Sequence, residues 1–184
     1  HPSRPVACPL DALVCPDGTA VARTGSSCTF PACLPPNVSL PDVSIAFVAP
    51  DGFMTSSLTN VASVIEYVSA TSSTKARISI RRYAITASST AFAIIKDTAI
   101  GGASGEPIAA TSFSSVSFGD HRFTMVLIER FEGVVDTAYY LARASDVLRF
   151  DAIDSEVVGW TDPALNVGTL PAHRALQELL KTLP

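Results

Sequence analysis

The chain has 184 residues, a mass of 19.3 kDa and a formal net charge of −4, which leaves room for one domain with a small appendage and not for two full-sized ones. Thirteen basic residues stand against 17 acidic ones, with a pI of about 5.3, so there is no basic footprint for nucleic acid. The mean hydropathy is +0.32, yet the longest apolar runs, 45–49 and 91–95, fall far short of the roughly 18 to 20 residues of a membrane helix.

Only 16% of residues are charged and 47% are hydrophobic, and polarity is supplied by 21 Ser and 16 Thr. That mix suits an exported surface protein better than a cytosolic enzyme. The chain opens on His1 with no initiator Met, so any signal peptide or membrane anchor is expected upstream. The Pro-rich stretch His1–Pro5 has too few apolar residues to pack and reads as a tether or processing remnant.

All four cysteines, Cys8, Cys15, Cys28 and Cys33, fall within the first 33 residues. The segregation describes a small stapled module ahead of a larger domain that its own core holds together. No two-residue Cys spacing of the zinc-knuckle kind occurs, so two disulfides are preferred over a four-thiolate metal site or free thiols. Four cysteines permit three pairings, which the sequence does not separate; the overlapping one, Cys8 with Cys28 and Cys15 with Cys33, is favoured. Asp17-Gly18 reads as a turn leading into a short hairpin over 19–24. The stretch from Ala7-Cys8-Pro9-Leu10 to Cys15-Pro16-Asp17-Gly18-Thr19, followed by Cys28 and Cys33, resembles the cysteine-rich segments of bacterial envelope proteins and, distantly, the middle of Kazal-type protease inhibitors. The latter likeness implies that Leu10 would face a protease pocket. Two of that family's six cysteines and its loop Tyr are missing here.

Three prolines between Leu34 and Pro41 hold the chain extended and mark a boundary, giving a module over 1–36 and a body over 37–184. Asn37-Val38-Ser39 matches a glycosylation sequon, relevant only to a eukaryotic secretory pathway. In the body, Val43, Ile45 and Phe47 alternate as one face of a first strand that ends at Pro50-Asp51-Gly52. The segment 61–69 fits strand or short helix, 76–85 alternates clearly, and 88–100 fits a helix with a serine N-cap as well as a buried strand. A Gly-rich loop over 101–107 precedes four strands at 112–118, 121–130, 136–144 and 146–154, divided by the turns Gly119-Asp120 and Glu132-Gly133, as an antiparallel meander. A closing helix over 170–183 has Thr169 as its cap, Pro171 in its first turn and Leu176, Leu179, Leu180 and Leu183 as its buried stripe.

The expected fold class is therefore α+β: an antiparallel sheet of about five to seven strands with a C-terminal packing helix, plus the stapled N-terminal module. The residues Tyr139-Tyr140-Leu141, Val147-Leu148-Arg149-Phe150 and Ala175–Leu183, with a Trp-containing connection between meander and helix, resemble the PsbP-type fold over residues 43–184. That resemblance implies a non-enzymatic binding, assembly or envelope role, with no catalytic residues to transfer.

The chemistry-bearing residues point the same way. Neither a Gly-x-Ser-x-Gly elbow nor a phosphate-binding glycine motif occurs. His121 and His173 are expected to face solvent. The basic run Lys75, Arg77, Arg81 and Arg82 reads as a solvated strand face, and Asp151, Asp154 and Glu156 lack EF-hand spacing and read as a solvated strand edge. No catalytic residue, metal ligand or cofactor is assigned. The expectation is an extracytoplasmic binding or scaffold domain with an unidentified protein or envelope partner. A protease inhibitor acting through Leu10 is the alternative, and a copper oxidase using His1 with His121 or His173 is a remote third.

Overall fold

The computed structural model describes residues 8–15, 20–23, 27–30, 36–71 and 75–184. Two small antiparallel ribbons come first: β1 (Ala12–Val14) with β2 (Ala20–Ala22), and β3 (Val38–Leu40) with β4 (Ile45–Phe47). The main sheet contains β5 (Phe53–Thr55), β6 (Ser63–Ser69), β7 (Lys75–Ala84), β8 (Ser114–Phe118), β9 (His121–Phe131), β10 (Val134–Ala142) and β11 (Asp146–Ser155). They are antiparallel throughout, in the spatial order β5-β6-β7-β11-β10-β9-β8. The sheet therefore begins as one meander, crosses over through α1 (Ala91–Thr98), and returns as a second meander whose last strand closes against β7.

Turn chemistry sets the second meander. Glu132 and Gly133 both adopt positive φ, 48° and 79°, the paired left-handed geometry that matches a two-residue hairpin to the strand twist. Gly119, at φ 56°, opens the two-residue turn between β8 and β9. Thr90, rather than a serine, caps α1 by accepting from the Ala93 amide, so the ambiguous 88–100 segment holds a helix, while the ambiguous 61–69 segment holds strand β6.

Two apolar layers flank the sheet. On one face α2 (Pro171–Lys181) packs Leu176, Leu179 and Leu180, with Leu183 just beyond it, against Ile78, Ile80, Leu148, Phe150 and Tyr139. The β3–β4 ribbon adds Ile45 and Phe47 to that layer. On the other face, Ile95 and Ala99 of the α1 segment meet Val126, Ala138, Tyr140 and Val147. The α+β class with a C-terminal packing helix is thus the observed one, richer in sheet than in helix. The first expected strand differs: Val43 lies in a 3-10 turn over Pro41–Val43, and Ile45–Phe47 pairs with Val38–Leu40 outside the main sheet. Pro41 cannot donate to a ladder, and the turn it opens folds the chain back on itself.

Candidate functional site

A large concavity among the described residues lies beside α2. The outward flank of that helix, Arg174, Ala175 and Glu178, faces the 48–53 connection and the end of β6 across a cleft of about 610 Å³. The spacing of three and four residues that turns the leucines inward turns this flank to the side. The Val48 amide donates to Thr182 Oγ1 at 2.9 Å, and the Phe53 amide to the Pro50 carbonyl, so the opposite bank is tied to the helix end and closed by a turn at Gly52, φ 75°. Phe53 and Leu179 give the cleft an apolar floor. Glu178 is neutralised by Lys181 at 2.6 Å; Arg174 and Asp51 line the cleft as charged groups. A volume of this size suits a small ligand or a few side chains of a partner.

A second site lies on the opposite face of the sheet, where charge is buried on three adjacent strands. Asp151 on β11 is fully buried, and Arg149, two residues earlier on the same face, holds its Oδ1 at 2.5–2.7 Å. Arg149 also donates to the Thr98 carbonyl at the end of α1 and stacks over Tyr140. The register brings Ser79 opposite Asp151, Arg81 opposite Arg149, and Glu129 opposite Asp136. Arg81 Nε reaches to 3.9 Å from Asp151 Oδ2. Four of the five buried side-chain polar atoms without a hydrogen-bond partner among the described residues lie here: Ser79 Oγ, Arg81 Nε, Asp136 Oδ1 and Asp151 Oδ2.

Burial first, and then the neighbouring Asp151 carboxylate, push the Asp136 carboxyl well above its ordinary range, against the pull of Arg149 and Arg81. Burial likewise pushes the Tyr140 hydroxyl up to about 12. At the edge of the same face Glu66 is fully buried. Burial acts to raise it, but hydrogen bonds from the Thr59 amide, the Ser63 hydroxyl and the Thr59 hydroxyl outweigh that and leave it below the usual range.

The other expected residues are distributed as follows. Cys8 and Cys28 form a disulfide, Cα to Cα 5.3 Å, as favoured from sequence. Cys15 is also disulfide-bonded, and Cys33 lies outside the described residues, as do His1 and the Asp17-Gly18 turn. Leu10 is fully exposed. Beside it, Arg23 clamps Asp11 through two bonds of 2.7 and 2.9 Å, donates to the Cys28 carbonyl, and lies over Phe30.

His173 corrects expectation: it is completely buried, its Nδ1 2.7 Å from Asp154 Oδ2 and its Nε2 2.9 Å from Thr137 Oγ1. Pro171 starts the helix against β11, so the third residue of the helix turns into the core. Asp154 also accepts from the Ala172 and His173 amides, and it caps α2 in place of Thr169, which bonds back to Asn166. Asp151 and Asp154 are therefore not at a solvated edge, because β11 is central in the sheet; only Glu156 is exposed, paired with Lys75 at 2.5 Å. Of the basic run, Lys75, Arg77 and Arg82 are exposed as expected, Arg82 pairing with Asp146, while Arg81 is half-buried and leans on Asp151. His121 is half-buried, with Nε2 2.7 Å from the Pro184 carbonyl oxygen. Among the described residues no group of three His, Cys, Asp or Glu side chains is arranged to hold a metal ion, and no helix is long and apolar enough to cross a membrane.

No protein-family model matches the chain, and no curated protein matches it. Among solved structures, one similar chain is a protein from Bacteroides thetaiotaomicron VPI-5482, in a crystal structure at 1.50 Å. The identity is 10% and the TM-score 0.47, over 76% of this chain and 44% of that one. This chain thus spans less than half the length of that protein.

Proposed function

We propose that the chain is an extracytoplasmic, non-enzymatic binding or scaffold domain, with a body of the PsbP type and a disulfide-stapled N-terminal module. The observation that carries the reading is the open cleft beside α2 on a chain whose described cysteines are oxidised. Disulfides persist where thiols are not kept reduced, and a concave site with an apolar floor and polar banks is the common form of a binding site. The PsbP reading is supported by element order: a helix between two meanders, a connection containing Trp160, and a terminal amphipathic helix. For a copper oxidase, His173 is the poorer partner of the two histidines, since both of its ring nitrogens are engaged inside the core.

The test is made in the native cell. A photoreactive residue at position 175, in the cleft, is expected to cross-link a partner or ligand in the extracytoplasmic fraction, with the cysteines unreactive to alkylation before reduction. Residence in a reducing compartment with alkylatable thiols would overturn the reading.

A second reading, protease inhibition, is favoured by one feature. Leu10 projects fully into solvent between two braces, the Cys8–Cys28 disulfide and the Arg23–Asp11 clamp. An apolar side chain fixed on a braced loop loses little entropy on docking. Serine peptidases with apolar specificity pockets, titrated with the full chain and with Leu10→Gly, decide it: inhibition lost in the variant supports this reading, and no inhibition by the parent chain dismisses it.

A further inference from the structure

We propose that Asp136 is the proton-binding centre of a pH-operated catch: with the proton in place the 99–113 connection lies closed over β9, and loss of that proton releases it. The argument begins with charge. On this face three carboxyls, Asp151 fully buried, Asp136 with a buried Oδ1 and Glu129 half-buried, meet two guanidiniums, Arg149 and Arg81. With all five ionised, one negative charge is left over beside the buried Asp136 Oδ1, which has no hydrogen-bond partner among the described residues, and a charge left there is costly. A proton on Asp136 removes it.

Other charged groups of the neighbouring elements do not supply the balance. Lys96 and Asp97 of α1, and Glu106 of the connection, are exposed. On β7 Arg77 is exposed as well, and it acts on Glu66 at the far side of the face. Asp136 is the natural place for the proton because Asp151 already has Arg149 at its Oδ1, while Asp136 Oδ1 is buried without a partner among the described residues. Its carboxyl is also the one that burial and Asp151 push well above the usual range.

The mechanical coupling lies in the backbone. The β9–β10 register shifts at Asp136/Thr137, a bulge of the kind that re-aims side chains, and it brings Glu129 beside Asp136. Gly102 rests on the Glu129 carboxylate so closely that a Cβ there would come within 2.0 Å of Oε2. The connection's own bonds are local, from the Gly101, Gly105, Ile108, Ser112 and Phe113 amides to carbonyls of the same segment and from the Glu106 amide to Ser104 Oγ, and 102–107 is exposed. Ala99, Ile108 and Phe113 pin the ends of the connection to the core, so it is the exposed middle, 102–107, that opens at small cost. When Asp136 ionises, water must reach the new charge, and the shortest way is under this connection, where two carboxylates would then repel each other.

The test is amide hydrogen exchange of the full chain by mass spectrometry, at about pH 5 and about pH 8.5, after correction for intrinsic exchange. Protection of 99–113 is expected to fall by about tenfold per pH unit above the midpoint, while β7 and β11 stay unchanged. Asp136→Asn is expected to keep the segment protected at both pH values. Glu129→Gln, which removes one repelling charge, moves the midpoint to lower pH and decides the matter should the first variant not fold. Equal protection of the parent chain at both pH values, a pH dependence that survives in Asp136→Asn, or an unmoved midpoint in Glu129→Gln would each overturn the proposal.

Discussion

Arg149 shows how one side chain joins a strand, a helix and a charge network. It neutralises Asp151, receives the end of α1 through the Thr98 carbonyl, and lies against Tyr140. Burial acts to lower its pKa, but the charge of Asp151, joined by Tyr140, the hydrogen bond to Asp151 and the charge of Asp136, raises it, so it stays cationic inside the protein. Arg149→Met leaves Asp151 buried without its close partner, and a loss of roughly 3–5 kcal/mol in urea unfolding is the expected result. Asp136 has the opposite thermodynamic sign. Its folded-state pKa lies above the unfolded value, so its contribution is fully present below about pH 4 and is lost as pH rises through the folded value. Asp136→Asn should therefore raise the melting temperature near neutral pH and leave it unchanged near pH 3, where parent and variant are both neutral at this position. Asp146 behaves conventionally: hydrogen bonds from Arg143, opposed by burial and aided by Arg82, hold it low. Its stabilisation is present above about pH 4 and is lost as pH falls through the folded value.

At the scale of elements, α2 is the principal clasp of the core. Leu176→Ala should cost roughly 2–5 kcal/mol, since the site is sealed between helix and sheet. Asp154→Ala removes a cap, at roughly 0.5–2 kcal/mol, and leaves His173 without its Nδ1 partner in the core, at roughly 1–3 more. Chemical denaturation of the two variants measures both effects. The leucine stripe and the four strands of the second meander were legible because the helix keeps its period of 3.6, the strands alternate except at the Asp136/Thr137 bulge, and the first two turns carry Gly119 and Gly133. The charged face was not legible. Arg149 and Asp151 alternate with apolar neighbours as any half-exposed strand would, and only the knowledge that β11 lies between β7 and β10 makes that alternation a buried one. The burial of His173 was hidden similarly. A His in a first helical turn usually faces water, and here a carboxylate from 19 residues earlier both caps the helix and holds the ring.

The molecule as a whole divides its stabilisation between two devices. Apolar layers on both faces of the seven-stranded sheet hold the body, and oxidised cysteines brace the N-terminal module. Reduction should therefore disturb the module while the unfolding transition of the body moves little, as circular dichroism with and without a reductant would record. The most direct test of the central claim, an exported and stapled binding domain, is the intact mass of the native protein taken from its own cells, before and after reduction. A gain of about 4 Da on reduction, from an extracytoplasmic fraction, is the result expected of two disulfides. No gain in mass, or recovery of the protein from a reducing compartment, would contradict the account.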